Sequence, residues 1–294
     1  MPGVLDGKTA IVTGAGRGIG REEALLLAAE GALVTVNDVD SDAAAGVVAE
    51  IEGAGGQAWP SGDDVASWAG AEAAVGAVVD VHGCLDVLVN NAGILRDAMT
   101  FSMTEEQWDD VIRVHLKGHA AMAHVAGRHW RERSKAGEEV TGRIINTISE
   151  SGLYSLAGQA NYAAAKAGIA SLTVVLGREL KKYGVTVNAI APRARTRMTE
   201  SVLGALTPEE GAFDEWHPGN VAPVVAWLAS DAAADITGQV VVVTADKIHL
   251  MEGWHRVGRA ANDGRRWTVA DLDAARDDLF GDRRPGLPAP GFGE

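Results

Sequence analysis

Thr9-Ala10-Ile11-Val12-Thr13 runs straight into Gly14-Ala15-Gly16-Arg17-Gly18-Ile19-Gly20, and an Ala- and Leu-rich stretch follows at once to Glu30. β-favouring residues, then a glycine run, then a helical pattern predict a strand, a tight loop and a helix. Glycines at 14, 18 and 20 suit a sharp turn, close backbone approach to a pyrophosphate and tight helix packing. The helix N-terminus adds free N–H groups and a partial positive charge. Between a strand and a helix, the run predicts a dinucleotide site formed by Gly14, Arg17, Gly18, Ile19 and Gly20. No Gly-Lys-Ser/Thr follows, which counts against a nucleoside-triphosphate loop.

The same alternation continues outward. Apolar β-type runs at 9–13, 33–36, 87–90, 143–148, 185–190 and 240–243 are separated by helical patterns at 19–30, 42–53, 67–82, 105–133, 162–183 and 220–229. Continuous apolar strands separated by helices read as βαβ units around a parallel sheet covered on both faces. The fold expected is α/β: a doubly wound parallel sheet in a Rossmann-like three-layer arrangement. No internal repeat interrupts it, and 134–141 reads as a longer surface loop. After Val243 the composition shifts toward Trp, Arg, Pro and Gly, so residues 1–250 read as the main domain and 251–294 as a C-terminal extension of it. Thr268 and Asp271 look like a capping box opening a short helix to about Leu279, with the Pro/Gly-rich end extended beyond it.

Composition narrows the classes. The chain has 294 residues, Lys+Arg 26 against Asp+Glu 40, and a net charge of -14. That balance argues against nucleic acid or an anionic membrane as main partner. Cys84 is the one cysteine, so no intrachain disulfide can form. No apolar run reaches the ~18 residues of a membrane span, no signal peptide is visible, and a cytoplasmic setting is expected. The histidines lack ligand spacing, so no metal is expected.

Asp38 closes the second strand, where a carboxylate accepts both ribose hydroxyls of NAD and repels a 2′-phosphate. NAD is therefore favoured over NADP, while Arg17 keeps a phosphate-binding alternative open. Asp64 and Val65, after the third strand, are placed to touch the adenine, with Asp63 beside them as a rival. Tyr162 and Lys166 fall at i and i+4 on one helix face. A nearby ammonium favours a phenolate, and such a tyrosine passes a proton to or from a hydroxyl or carbonyl oxygen. Ser149, at a strand end thirteen residues earlier, can donate to the same oxygen; Ser151 is a second candidate for that role.

Thr13-Gly14-xxx-Gly18-x-Gly20, Asn90-Asn91-Ala92-Gly93, Ser149 and Tyr162-xxx-Lys166 together resemble the short-chain dehydrogenase/reductases over about residues 5–245. The resemblance implies Tyr162 as acid/base and Ser149 as carbonyl-polarising donor. It implies that Lys166 binds the nicotinamide ribose and lowers the Tyr162 pKa, that Asn90, Asn91, Ala92 and Gly93 line the cofactor, and that Thr196 meets the carboxamide. Residues 91–97, 114–118, 159–162 and 191–198 are similar to the (3R)-hydroxyacyl-CoA dehydrogenase unit of peroxisomal multifunctional enzyme type 2. That similarity implies an NAD-dependent enzyme acting on an acyl-CoA or another small thioester or alcohol, with 3-oxoacyl-carrier-protein reductase and hydroxysteroid dehydrogenase as alternatives. A dinucleotide-sensing or scaffold protein on the same fold is the non-enzyme alternative. Family habit implies a homodimer or homotetramer.

The chain departs from the family at several points. His115 stands where the family usually has asparagine, although the multifunctional-enzyme branch shares the histidine. Arg193 replaces a glycine after Pro192, and Asp246-Lys247 replaces a glycine pair after the last strand. Arg193, Arg195 and Arg197 form a basic knot with two readings: a solvated loop with ion pairs, or a receptor for CoA phosphates using forked guanidinium geometry. The tail with Trp254 and Trp267 reads as a lid or as a helix packed on its own domain.

Overall fold

The computed structural model describes residues 3–197 and 211–283; Met198 and the Pro/Gly-rich end at 284–294 lie outside the described residues. The chain divides into two compact units, Met1–Met251 and Glu252–Glu294. In the first, the strands are β1 (Thr9–Thr13), β2 (Leu33–Asn37), β3 (Gln57–Ser61), β4 (Val87–Asn90), β5 (Arg143–Thr147), β6 (Thr186–Arg193), β7 (Val240–Thr244) and β8 (Lys247–Met251). Its helices are α1 (Gly18–Ala29), α2 (Ser41–Gly53), α3 (Trp68–His82), α4 (Glu105–Ile112), α5 (Gly118–Lys135), α6 (Glu150–Tyr154), α7 (Ala160–Leu180) and α8 (Ala222–Ala229). The second unit carries α9 (Val269–Ala274) and α10 (Arg276–Phe280).

The strands form one sheet in the order β3-β2-β1-β4-β5-β6-β7-β8. Every neighbouring pair is parallel until β8, which turns back antiparallel on β7. Alternate residues of one strand serve opposite faces, as the pleat requires: Ala10 and Val12 join the core under α1, α2 and α8, and Ile11 joins the core under α3 and α5. The chain order reverses between β1 and β4, so their carboxyl ends diverge and leave a crevice, the usual ligand position of such sheets. Pro60 lies within β3, which pairs only with β2; the edge position tolerates a residue without an N–H.

Four features differ from the sequence expectation. The helical pattern at 105–133 is α4 and α5 joined by a π-helical turn, Arg113–Lys117; such an insertion leaves hydrophobic periodicity almost unchanged. The short α6 and the hairpin strand β8 were both unforeseen. The β7–β8 hairpin turns through Ala245, whose φ of 52° lies in the left-handed region. In the second unit the capping box of Thr268 and Asp271 is present, but the expected single helix breaks at Ala275 into α9 and α10.

Two buried side chains on these faces differ in how well they are matched. Trp130 of α5 is wholly buried and donates its indole N–H to the Leu85 carbonyl. Glu23 of α1 is also wholly buried, yet neither carboxylate oxygen has a hydrogen-bond partner. Burial therefore pushes its carboxyl up to about 8 from 4.5. The unfolded chain releases this proton near pH 4.5 and the folded one only near pH 8, so folding binds an extra proton in between. Stability falls across that window and is flat above it. The penalty at pH 8 reaches up to about 4 kcal/mol. Glu23→Met, apolar and similar in length, is expected to raise the urea midpoint at pH 8 and to flatten its decline between pH 5 and 8.

Candidate active site

The loop after β1 is shaped by contacts that leave no room for side chains. Gly14 has φ +63° and Gly18 φ +57°, a region open to glycine at little cost. A Cβ on Gly14 would lie 2.7 Å from the Ala92 Cα, and one on Gly20 would lie 2.5 Å from the Asn91 amide nitrogen. Gly18 and Ile19 open α1. The N-cap of that helix, Arg17, makes no side-chain capping bond, and the first turn carries no acidic residue. Helices α2, α3, α4 and α6 are all closed by side chains, from Asp40, Ser67, Thr104 and Ser149. The free N–H groups of α1 thus point into a glycine cradle, which fits a pyrophosphate.

Asp38 sits at the end of β2 against this loop, accepting the Gly16 N–H at 3.0 Å and the Asp40 N–H at 3.0 Å. The Arg17 guanidinium is turned to the Asp40 carboxylate. Asp64 is exposed and accepts from the Ala66 N–H (3.0 Å) and from Arg113 (3.1 Å), beside a buried Val65. Asp63 instead accepts from the Ser61 hydroxyl at 2.9 Å.

The segment after β4 is clamped to β1. The Thr13 hydroxyl accepts the N–H groups of Asn91 (3.0 Å) and Ala92 (3.1 Å), while the Asn91 side chain donates to the carbonyls of Thr13 (3.0 Å) and Gly14 (3.1 Å). Asn90 points below, donating to Asn146 at 3.0 Å; Asn146 donates in turn to Thr173. Of the four residues expected to line the cofactor, Asn91 thus fastens the loops to each other and Asn90 is buried beneath them. Thr196 reaches the loop from β6: its methyl carbon would lie 3.6 Å from a Cβ on Gly18.

Ser149, Tyr162 and Lys166 come together where β5 ends. Ser149 caps α6 and its oxygen accepts the Ser151 N–H at 3.1 Å; it also lies within hydrogen-bonding reach of the Tyr162 hydroxyl. The Ser151 hydroxyl is taken by Gln159, to which it donates at 2.7 Å. Lys166 is buried and donates to the Thr147 carbonyl at 2.6 Å, with its Nζ 5.5 Å from the Tyr162 ring centre.

Burial of its hydroxyl end pushes Tyr162 up to about 12, against the lowering effect of Ser149. Burial also pushes Lys166 down to about 7. In this state desolvation outweighs the ammonium's pull on the phenol, the reverse of the sequence expectation, because both groups share one enclosure.

Several partners were not singled out from the sequence. Asn161, wholly buried, donates to the carbonyls of Arg96 and Gln107, each at 3.0 Å, and fixes the start of the Tyr162 helix. Glu150 binds Arg193 through two contacts, one of 2.8 Å, and Asp214 binds Arg195. The ion-pair reading therefore holds for two of the three arginines, while Arg197 is exposed. Such pairs join residues 43 and 19 positions apart, a separation that no local motif reveals.

The profile of the short chain dehydrogenase family matches residues 8–205. The chain belongs to that family. A hydroxyacyl-CoA dehydrogenase of Mycobacterium tuberculosis is 46% identical over 289 residues, spanning 96% of this chain and 91% of that protein. Mouse peroxisomal multifunctional enzyme type 2 is 42% identical over 243 residues, which are 80% of this chain and 31% of that much longer protein. The crystal structure of a short chain dehydrogenase from Mycobacterium avium superposes with a TM-score of 0.89 at 51% identity, covering 97% of this chain and 99% of that one.

As a short-chain dehydrogenase the protein is an oxidoreductase acting on CH–OH groups with a nicotinamide cofactor. No helix among the described residues is long and apolar enough to cross a membrane. No group of three or more His, Cys, Asp and Glu among them could hold a metal ion.

The Asn91 clamp can be tested apart from chemistry. Losing its two side-chain bonds costs about 1–3 kcal/mol of loop order. Asn91→Ala is expected to raise the Kd for the dinucleotide about tenfold by fluorescence titration, with an unchanged far-ultraviolet circular dichroism spectrum.

Proposed function

We propose that this short-chain dehydrogenase interconverts a 3-hydroxyacyl-CoA and its 3-oxoacyl-CoA with NAD(H), with Ser149, Tyr162 and Lys166 as the working residues. The observation that carries the chemistry is the convergence of the Ser149 and Tyr162 hydroxyls above a buried Lys166. The hydroxyacyl-CoA class rests on the Mycobacterium tuberculosis relative, which matches along 96% of this chain. The bound nicotinamide supplies the hydride acceptor for oxidation and the donor for reduction.

The chain's own residues hold and move the proton. Ser149, steadied as the α6 cap, donates a hydrogen bond to the substrate oxygen. Tyr162 takes the alcohol proton in oxidation and returns it in reduction. Lys166, tethered to Thr147, binds the nicotinamide ribose and stabilises the phenolate when protonated. NAD is favoured over NADP because the Asp38 carboxylate holds the ribose end of the cradle and Arg17 is engaged by Asp40.

The phenolate is the reactant in oxidation and the phenol in reduction, so kcat/KM is expected to rise with pH for the alcohol and to fall for the ketone. Following absorbance at 340 nm with (3R)-3-hydroxybutyryl-CoA tests the assignment. Turnover with NAD, reduced at least a thousandfold in Tyr162→Phe, is the expected result. Turnover with NADP alone would overturn the Asp38 argument, and turnover only with free steroid alcohols would overturn the thioester assignment. Asp38→Ala is expected to shift the NADP-to-NAD preference at least tenfold toward NADP.

A further inference from the structure

The amino ends of β5 and β6 carry a polar cluster that the chemistry above leaves unused. The two strands pair Arg143 with Thr186, so the two side chains stand side by side on one face of the sheet. That face is the one covered by α8, since the Arg143 guanidinium reaches the carbonyl of Ser230, the C-cap of that helix. Both residues line a cavity of about 290 Å³, together with Thr141, Lys181 and Asp235. Thr147, at the far end of β5, is the residue that holds Lys166. The cavity is therefore set about 13 Å along the strand from the catalytic group, at the opposite end of the sheet.

Arg143 is poorly matched for its depth. It is 3% exposed, yet its bonds are long: Nη1 donates to the Gly142 carbonyl at 3.1 Å, Nε to Ser230 at 3.4 Å and Nη2 to the Asp231 carboxylate at 3.5 Å. These engage three of the five N–H groups of a guanidinium. Asp231 is 72% exposed and lies at the same 3.5 Å from Lys8, so one solvated carboxylate serves two cations. The other carboxylate that acts on Arg143, Asp86, is taken up by the N–H and hydroxyl of Thr9 at 2.9 and 3.1 Å. A buried cation without a close counter-charge is costly. Burial accordingly pulls Arg143 below its usual 12.5.

Thr186 is buried beside it, and its hydroxyl has no hydrogen-bond partner among the described residues. Such an unmade bond weakens the fold. Valine has the same shape without that cost, so the hydroxyl is explained by something that enters the cavity. At the rim, Lys181 and Asp235 are exposed and opposite in sign, so water and salt damp both. The floor decides what is bound, and the floor is a cation beside a hydroxyl donor.

We propose that Arg143 and Thr186 form the floor of a second binding site, which takes a small oxyanion presented as the carboxylate or phosphate group of a metabolite. The guanidinium offers forked, charge-assisted N–H groups, and Thr186 donates its hydroxyl to the same anion. Lys181 adds a second cation at the mouth, while Asp235 disfavours ligands of high negative charge. The cavity is at the small end of the range for ligand sites, about 300–1,000 Å³, which excludes a whole dinucleotide or coenzyme A.

Calorimetric titration of the intact protein with inorganic phosphate, and separately with acetate, at constant ionic strength tests the site. The expected result is saturable one-to-one binding of at least one of the two, unchanged when NAD at saturation fills the glycine cradle. A response to phosphate alone identifies a phosphate ligand, and a response to acetate alone a carboxylate. Arg143→Gln is expected to weaken the affinity at least tenfold. Thr186→Val guards against a folding defect in that variant and carries two readouts. It is expected to weaken anion affinity at least threefold, and to raise the Tm in anion-free buffer because the unmade bond is gone. Phosphate also stabilises proteins as an excluded salt, but that effect grows without saturation and is the same in both variants. Absence of saturable binding, binding abolished by NAD, or binding kept in full by Thr186→Val would overturn the proposal. A lower Tm for Thr186→Val in anion-free buffer would overturn it too, since the hydroxyl would then already serve the fold.

Discussion

The Thr13 hydroxyl is the hub on which the site depends. It accepts two N–H groups from the segment after β4, while Asn91 grips the carbonyls of Thr13 and Gly14 in return. This closes the glycine loop against Ala92 at a distance that excludes a side chain on Gly14. From there order passes outward by contact. Gly93 packs against the His115 ring too closely for a side chain, His115 meets Tyr162, and Asn161 ties the Tyr162 helix back to the segment after β4 at Arg96. The first strand thereby positions residues more than a hundred places away without touching them.

Burial sets the electrostatics of that assembly more than charge pairing does. Lys166 is enclosed with one carbonyl partner and, among the described residues, no carboxylate counter-ion within salt-bridge distance, so its charged form is held back; Tyr162 is held in its neutral form by the same enclosure. Two groups that are each costly to ionise alone can ionise together, because the ammonium and phenolate compensate each other in a low dielectric. A substrate oxygen and a cofactor ribose entering this enclosure would alter both costs at once. The site is thus poised by its dryness.

Much of this was legible in the sequence wherever the cause is local. The strand–glycine–helix entry, the apolar strand runs, Asp38 at its strand end and the Ser149–Tyr162–Lys166 spacing all depend on near neighbours or a fixed helical offset. What escaped depends on distance or on small breaks in periodicity. The π-turn adds a residue without disturbing the apolar pattern, so 105–133 read as one helix. Strand β8 needed its hairpin with β7, whose turn residue is an alanine in a conformation that sequence does not favour. The pairing of Arg193 with Glu150 arises only once β6 and α6 are packed side by side.

The uncapped start of α1 has a thermodynamic consequence. On that side α2 begins with its own side-chain acceptor, Asp40, whereas α1 has none and offers its first N–H groups to any anion that enters the glycine cradle. Ligand binding and folding of the first βαβ unit are therefore one coupled equilibrium. A dinucleotide at a hundred times its Kd adds about 2.7 kcal/mol to the folded state. Occupancy of the cradle and resistance of the fold to unfolding therefore rise and fall together, so the melting temperature of a chain with this helix start depends on the dinucleotide concentration around it.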